Sequence, residues 1–374
     1  MSLPAVSYDA RTALYRLHRL RDVRTALLDP VTFAVDNALE AITPIAEPGL
    51  RTLAAAGVTL PPALANNGTP THAPLRQVVN SYVDGARVRA AVPMIERLAG
   101  EHVALTRERL AADGEADLVD TIARDLPARV LLELLEIPPA DRPEPAELSA
   151  WGEAAFELFW GWPDEARQVA LAEQVGACHT WLLARLRSAR RDGGTGFLAG
   201  LARARDDEGR LLPLRLVASA GFFTVLAGQQ TTGYLLARLF QRVLARPGLA
   251  AEIARHPQLG RETVEQTLRE QSPVPSWRRV TRCPVTVDGT PLPAGAAVLL
   301  MLEDAGAAAP DQPHVAFGAG AHRCPGAALA RAEATTVLRV AAPLLAEVRP
   351  TGADPAELRL LSFSAPRHVG VRPT

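Results

Sequence analysis

The feature that most constrains the fold is a glycine-rich turn that carries a cysteine and runs directly into a helical pattern: FGAGAHRCPG, residues 317–326. Gly318 and Gly320 permit backbone angles that residues with a Cβ avoid, so the turn can lie flat against a large planar cofactor. Pro325 suits the first position of the following helix, where its missing N–H costs nothing. The helix dipole and free N–H groups at that end lower the pKa of a cysteine. The sequence therefore predicts that Cys324 is a thiolate ligand of the cofactor.

The same decapeptide resembles the signature of the cytochrome P450 haem-thiolate monooxygenases: phenylalanine, two spaced glycines, a basic residue, cysteine and glycine. The resemblance implies that Cys324 is the axial ligand of the iron in haem b, iron protoporphyrin IX. It also places Phe317, Gly318 and Gly326 in the cofactor-binding loop, with Phe317 shielding the sulfur from water. The alternative for a lone cysteine is a buried structural residue in a turn, and the complete motif argues against it.

The resemblance covers most of the chain, from about His72 to the end. It implies a mainly α fold with small β-sheets, in which a long central helix lies over the haem. It also implies that residues 1–374 form a single cytochrome P450-like domain, which the length permits. The hydrophobic patterns predict two helices broken at Trp162-Pro163, one long helix over 214–246, and a hairpin at Asp288-Gly289.

Composition excludes several classes of partner. The formal net charge is −1, with 22% charged and 48% hydrophobic residues, which favours neither nucleic-acid binding nor disorder. Cys178, Cys283 and Cys324 are far apart, so we expect neither a disulfide framework nor a paired-cysteine zinc site. The N-terminus has no signal-peptide pattern, and the longest apolar stretch, around 216–228, is shorter than the roughly 20 residues that span a bilayer. We expect a soluble, cytoplasmic protein without membrane or nucleic-acid partners.

Four basic residues match the haem-propionate contacts of the resembled family. His72 and Arg76 are one turn apart on a predicted helix and point the same way. Arg279 lies ten residues before Gly289 and matches a strand arginine that holds the second propionate, and His322 matches a further contact. A guanidinium holds a carboxylate in a bidentate fork, which suits arginine to this role. For the helix alone a solvated basic face would be the better interpretation, so the prediction depends on the nearby cysteine motif.

The centre of the long helix reads AGQQTT and interrupts an otherwise apolar pattern. Ala227 and Gly228 leave room for a flat cofactor, and the Thr231 hydroxyl can bond back to a carbonyl, open the helix locally and make a slot for dioxygen. The resembled family has alanine, glycine, any residue, an acid and two threonines, so Gln230 stands where the acid normally stands. We predict Thr231, Gln230 and Thr232 as catalytic residues, with proton delivery weakened at Gln230.

A second departure lies on the helix before the strands. The family has a glutamate three residues before an arginine there; Arg269 is that arginine, but Gln266 replaces the glutamate. Glu265 is about 100° away round the helix and cannot simply take its place. The following stretch, 300–316, is shorter than the family's usual loop. We predict that this shortened loop supplies the missing acceptor for Arg269.

The substrate pocket is predicted from large side chains. Trp160 lies in an aromatic cluster before the break at Trp162-Pro163, where the family places a lid over its substrate. Pro275 and Trp277 lie in a segment that lines the family's pocket, and Phe223 lies on the long helix one turn before Ala227. Ordinary core packing is the alternative for such aromatics.

The resemblance implies an enzyme that oxidises a small-molecule, secondary-metabolite intermediate, free or bound to a carrier protein, with dioxygen. Because the chain has no flavin or nicotinamide motif, electrons are expected from a ferredoxin-type partner, with Arg76 and Arg323 able to attract an acidic surface. One alternative keeps haem but changes the chemistry to peroxide use, coupling or rearrangement. Another is a haem-free auxiliary subunit, which the departures at Gln230, Gln266 and the shortened loop favour and the retained propionate set disfavours.

Overall fold

Thirteen α-helices form most of the part of the chain that the structure describes. The computed structural model describes residues 4–352 and 356–374. In those residues the α-helices are α1 (Leu20–Leu28), α2 (Glu47–Ala55), α3 (His72–Tyr82), α4 (Gly85–Asp113), α5 (Leu126–Leu134), α6 (Pro145–Trp160), α7 (Glu165–Asp192), α8 (Gly196–Ala202), α9 (Leu214–Ala245), α10 (Leu249–Arg255), α11 (Gln258–Glu270), α12 (Leu302–Ala307) and α13 (Ala327–Ala346). The predicted mainly α fold is confirmed.

Short strands form small sheets beside the helices. They are β1 (Val6–Asp9), β2 (Leu14–Leu17), β3 (Phe33–Ala34), β4 (Ala116–Asp117), β5 (Ser276–Thr281), β6 (Val285–Val287), β7 (Thr290–Leu292), β8 (Ala297–Met301), β9 (Val348–Pro350), β10 (Glu357–Arg359), β11 (Ser364–Pro366) and β12 (Gly370–Pro373). The largest sheet has the order β1-β2-β8-β5-β3, in which β2 and β8 are parallel and the other pairs antiparallel. This sheet fixes the position of β5, which carries Arg279.

The long helix α9 lies at the centre of the main hydrophobic core. It packs against α5, α6, α7, α11 and α13, and Val217, Leu226 and Leu239 are at most 1% exposed. A helix that is apolar nearly all round is expected to be buried in this way. The structure confirms the predicted length, but α9 is unbroken from Leu214 to Ala245, so the expected local opening at Thr231 was wrong.

Local sequence signals explain the ends of several elements. Helix α6 ends at Trp160 and α7 begins at Glu165, as the Trp162-Pro163 break predicted; Asp164 caps α7 by accepting the Arg167 N–H at 2.8 Å. The hairpin between β6 and β7 turns at Asp288-Gly289 with φ of 47° and 81°, as predicted. Helix α13 begins at Ala327 with Gly326 at its N-cap, so Pro325 precedes the helix instead of occupying its first position.

A search for spanning segments covered the described residues. No helix there has both the length and the apolar character needed to cross a membrane.

Gly233→Ala should destabilise the fold, because Gly233 lets α9 approach a neighbouring backbone closely. A Cβ at this position would lie 2.6 Å from the carbonyl oxygen of Ala123, which cannot move aside as a side-chain end can. We expect a loss of about 1–3 kcal/mol in the free energy of unfolding, measured by denaturant titration. Gly100→Ala is the control: nothing lies within 4 Å of its Cβ on helix α4, so it should gain about 0.5–1 kcal/mol. Equal effects of the two changes would contradict this packing argument.

Candidate active site

The glycine-rich turn has the conformation that the sequence predicts. Gly318 and Gly320 have φ of 68° and 70°, in the left-handed region that favours glycine. A Cβ on Gly320 would lie 3.0 Å from the carbonyl oxygen of Leu27, so the turn also packs tightly on α1. The Cys324 N–H donates to the Phe317 carbonyl at 2.8 Å and closes the turn. The position of Cys324 is therefore fixed through the backbone of Phe317.

Cys324 keeps exposed surface in the turn, although enough protein lies around the thiol for desolvation to dominate its pKa. Burial raises the pKa of the Cys324 thiol, although the Gly326 N–H and the charges of Arg76 and Arg323 act in the opposite direction. The expected lowering of this pKa was therefore wrong for the protein without a bound metal, because desolvation outweighs the helix end. A coordinating metal deprotonates its thiol ligand, so the burial that opposes a free thiolate does not oppose a metal-bound one.

One face of α9 is accessible in the middle of the core. Phe223 and Thr231 are partly exposed and Ala227 is exposed, whereas Val225 and Leu226 beside them are each 1% exposed. Residues spaced by four lie on one helix face, so these three side chains define a single accessible strip. The Thr231 hydroxyl donates to the Ala227 carbonyl at 2.8 Å, which is the predicted back-bond.

The other AGQQTT residues face different neighbours. A Cβ on Gly228 would lie 3.0 Å from Leu131, so Gly228 makes room for α5. The sequence had suggested that it makes room for a cofactor, and that prediction was wrong. Thr232 is 3% exposed and its hydroxyl donates to the Gly228 carbonyl at 3.3 Å, which places it in the core instead of beside Thr231. Of the three predicted catalytic residues, only Thr231 lies on the accessible strip.

Gln230 is 7% exposed and points towards α6. Its Oε1 accepts a hydrogen bond from Gln229 Nε2 at 3.4 Å, and Gln229 Nε2 also donates to the Leu148 carbonyl at 3.2 Å. Gly152 of α6 makes this possible, because a Cβ there would lie 2.6 Å from Gln230 Oε1. Burial raises the pKa of Tyr234, although the nearby Gln230 side chain acts in the opposite direction.

A polar cavity of about 190 Å³ lies on this side of α9. Its lining includes Gln230 and Tyr234 of α9 and two carboxylates of α6, Glu153 and Glu157. Arg167 pairs with Glu157 at 2.6 Å, whereas the Glu153 side chain is 52% exposed and has Arg124 Nε at 3.4 Å. Titratable carboxylates therefore share a cavity with the glutamine that replaces the family's acid.

The four predicted propionate ligands come together near Cys324. The His72 and His322 ring centroids are 4.5 Å apart, and Arg76 donates to the Arg323 carbonyl next to the cysteine. Burial lowers the pKa of His72 and of Arg76, and it lowers that of Arg279 to about 10. Burial, followed by the charges of His72 and Arg279, lowers the pKa of His322 to about 4.

This basic cluster (His72, Arg76, Arg279 and His322) has unused hydrogen-bonding capacity. His72 Nε2 and Arg279 Nε are buried without a hydrogen-bond partner, and Arg279 is 2% exposed. Burial is the largest cause of the pKa shift of each of the four, and no salt bridge of the described residues joins any of them to a carboxylate. Buried cations require anionic partners, so the cluster suits a ligand that carries carboxylates. Together with the cysteine turn it fits haem, whose propionates supply them.

Arg269 finds its acceptors in the shortened loop, as predicted. Its Nη1 donates to the carbonyls of Gln312 at 2.8 Å, Ala309 at 3.0 Å and Gly306 at 3.4 Å. Gln266 is exposed and donates only to Glu270, at 3.2 Å, among the hydrogen bonds of the described residues. Backbone carbonyls therefore replace the carboxylate of the family on this helix.

Sequence reasoning missed the partners of Glu265. Its carboxylate accepts from Arg331 Nε and Nη2 at 2.5 and 3.1 Å and from His314 Nε2 at 3.1 Å. The Arg331 guanidinium carbon lies 4.5 Å from the centroid of the Phe317 ring. The two partners, His314 and Arg331, are 49 and 66 residues away from Glu265 in the sequence, so no local pattern could have linked them.

Of the residues predicted to line the substrate pocket, some keep accessible surface and one is buried in the core. Trp160 is 2% exposed and packs against Trp277 and Phe363, with ring centroids 6.3 and 5.0 Å away, so it supports a wall instead of lining a pocket. Trp277, Pro275 and Phe223 keep accessible surface. Phe363, which the sequence analysis did not name, lies at the centre of this aromatic group.

Comparison with known proteins decides the family. No family model matches the chain. Cytochrome P450 140 of Mycobacterium tuberculosis is 32% identical over 310 residues, which are 78% of this chain and 69% of that protein. The chain belongs to the cytochrome P450 family. The cytochrome P450 monooxygenase PikC of Streptomyces venezuelae is 33% identical over 285 residues, 72% of this chain but 65% of PikC, slightly less than two thirds of that relative.

Further comparisons agree with this assignment. The erythromycin C-12 hydroxylase of Saccharopolyspora erythraea is 29% identical over 86% of this chain and 80% of that protein. The crystal structure of the P450 heme domain of Tepidiphilus thermophilus has a TM-score of 0.89 and 26% identity, covering 98% of this chain and 90% of that one. Cytochrome P450 CREJ, in complex with (4-ethylphenyl) dihydrogen phosphate, has a TM-score of 0.90 at 24% identity, covering 99% and 94%, and supports the fold alone. The predicted cytochrome P450 fold and enzyme class are confirmed.

The protein without haem should lose stability on acidification because His322 resists protonation when folded. Its pKa is about 4 in the folded protein against an ordinary 6.5, so the unfolded chain binds a proton that the folded one does not. The stability that His322 contributes is complete above pH 6.5 and is lost as the pH falls towards 4. Thermal midpoints measured across this window should fall less steeply in His322→Gln, and less steeply when bound carboxylates raise the pKa. Identical slopes for wild type and His322→Gln would contradict this explanation.

Proposed function

We propose that this cytochrome P450 is a haem b-dependent monooxygenase of a single domain that oxidises a small-molecule intermediate of secondary metabolism. The observation that carries the proposal is the exposed Cys324 near a partly buried basic cluster, with Arg279 fully buried, that has no carboxylate partner among the described residues. Haem with a thiolate ligand supplies an iron centre that favours O–O cleavage. A haem-free auxiliary subunit is disfavoured, because such a subunit would keep these buried cations without compensation.

The polypeptide would hold the cofactor by two sets of groups. Cys324 would be the axial ligand, and the Gly326 N–H beside the sulfur would stabilise its negative charge. His72, Arg76, Arg279 and His322 would hold the propionates. The two arginines would act as bidentate donors and His72 would donate through its free Nε2.

On the α9 side, Thr231 would place a hydroxyl proton where dioxygen reduction consumes protons. Its Oγ1 can switch its donated proton from the Ala227 carbonyl to a substrate oxygen with a side-chain rotation. Gln230, fixed by Gln229 and turned towards the polar cavity, can orient water there but has no titratable proton. We expect protons to enter from Glu153, whose carboxylate lines the same cavity.

The names of the relatives support the substrate class. PikC is a cytochrome P450 monooxygenase of Streptomyces venezuelae, and the Saccharopolyspora erythraea relative is an erythromycin C-12 hydroxylase. For this chain we propose a substrate of the same broad kind, presented free or on a carrier protein. Phe223, Pro275 and Trp277 would form the apolar wall against which it binds.

Electrons would come from a ferredoxin-type partner. Arg323 is exposed and Arg76 is bonded to its carbonyl, so positive charge reaches the surface on the cysteine side of the site. Complementary charge steers an acidic partner to such a surface. The three cysteines are unpaired, which suits a reducing compartment, and we propose the cytoplasm as the place of action.

The purified, haem-loaded protein should show, when reduced and exposed to carbon monoxide, the red-shifted absorption band for which the family is named. A thiolate opposite carbon monoxide perturbs haem in a way that imidazole does not. Cys324→Ala should abolish the band, whereas Cys283→Ala, which changes an exposed cysteine in a turn, should keep it. A wild-type protein that stays colourless with haem supplied would contradict the proposed function.

Gln230→Glu should raise the amount of product formed per reducing equivalent, because it adds a titratable group next to Thr231 in the chain, on the side of α9 that lines the polar cavity. The isosteric side chain can keep the hydrogen bond from Gln229, and we expect a gain of up to about tenfold once a substrate is known. The rate of turnover with added hydrogen peroxide should change much less, because the peroxide already carries its protons. If wild type is well coupled and the variant loses efficiency, Gln230 itself is the group that the chemistry needs.

A further inference from the structure

We propose that Glu265 is a positioning residue that holds the cysteine turn in place through Arg331 and His314. The inference deepens the proposed haem-thiolate function and rests on it. The three side chains come from different parts of the chain: Glu265 from α11, Arg331 from α13, and His314 from the segment that leads into Phe317.

The Glu265 carboxylate accepts hydrogen bonds from one residue before the cysteine turn and one residue after it. Arg331 donates to it through Nε and Nη2 in a bidentate fork, the strongest arrangement for this pair of groups. His314 Nδ1 accepts the Ala316 N–H at 3.2 Å, so the ring proton is on Nε2, which donates to Glu265 Oε2 at 3.1 Å. The His314 side chain is 5% exposed, so these two hydrogen bonds, which set its tautomer, are shielded from water.

Two further contacts link Arg331 to the backbone of Cys324. The Arg331 guanidinium lies 4.5 Å from the centroid of the Phe317 ring, at a distance suited to a cation–π contact. The Phe317 carbonyl accepts the Cys324 N–H at 2.8 Å. Glu265 therefore orients Arg331, Arg331 orients Phe317, and Phe317 orients the residue that carries the ligand.

Charge transmits a second effect. Burial would raise the pKa of Glu265, but the His314 and Arg331 hydrogen bonds and the Arg331 charge lower it to about 2, so Glu265 is ionised at neutral pH. The Arg331 charge is close enough to Cys324 to act on the thiol. Glu265 thus compensates a positive charge that otherwise acts directly on the sulfur.

Gln266, the next residue on α11, makes no hydrogen bond to Arg331 or His314 among those of the described residues. Gln266 points to solvent and bonds to Glu270 on its own helix. Arg269 is satisfied by three carbonyls of the shortened loop and needs no carboxylate from α11. Of these α11 side chains, Glu265 is therefore the one that hydrogen-bonds to residues on either side of the cysteine turn.

The test uses haem-loaded full-length variants and two spectroscopic readouts: the reduction potential, and the rate at which the red-shifted carbon monoxide band converts to the blue-shifted band of a lost thiolate. Glu265→Gln keeps the shape but leaves Arg331 uncompensated, so the potential should become more positive and conversion about fivefold faster. Arg331→Met should shift the potential in the opposite direction. The double variant leaves the charge balance unchanged, so its potential should return towards that of wild type.

Glu262→Gln is the matched control, because it removes one negative charge from an exposed position one turn earlier on α11. It should leave both readouts unchanged. If Glu265→Gln folds poorly, the opposite shifts of Arg331→Met and the double variant still decide the question. The proposal is overturned if Glu265→Gln behaves like Glu262→Gln, or if the double variant is further from wild type than either single change. A wild type without the red-shifted band would instead sink the proposed function.

Discussion

The basic cluster beside Cys324 depends on negative charge that the described polypeptide does not supply. Burying a cation is costly unless an anion and hydrogen bonds compensate it, and Arg279 is almost fully buried with Nε unpartnered. The pKa of His322 shows the same strain, since the ring stays neutral down to about pH 4. A dicarboxylate cofactor would remove this strain and so stabilise the folded state by mass action. Cofactor binding and folding would then be coupled through these side chains.

Helix α9 assigns different tasks to consecutive residues, because each step along a helix turns the side chain by about 100°. Gln230, Thr231 and Thr232 therefore face α6, the accessible strip and the core, respectively. The family's acid and threonine are neighbours in sequence but need not face one another. In this chain a hydrogen-bonded glutamine pair and the close approach of Gly152 fix the orientation at position 230. Under the proposed function, proton supply would then depend on the cavity and its α6 carboxylates.

Much of the site could be predicted from sequence, for a physical reason. Glycine readily takes the left-handed backbone conformation in turns, as Gly318 and Gly320 do. The one-turn spacing of His72 and Arg76 makes their side chains point in the same direction from the helix. Spacing gives a direction on a helix but not the neighbour that lies there. The roles of Gly228, facing Leu131, and of Gln230, facing α6, depend on that neighbour and were therefore missed or misassigned.

The two arginines near the shortened loop show why one carboxylate could be lost and another kept. Arg269 bonds to carbonyls, whose positions follow from the backbone of residues 306–312 and need no particular side chain. Arg331 stacks on Phe317 and donates through its fork to a carboxylate on the facing helix, whose lone pairs can accept both N–H groups. Glu265 provides it, and glutamine at that position would offer one acceptor oxygen for three donors. The loss of the glutamate at 266 is therefore tolerated because the loop replaces its hydrogen bonds, while the charge that matters to the cysteine turn stays one residue away.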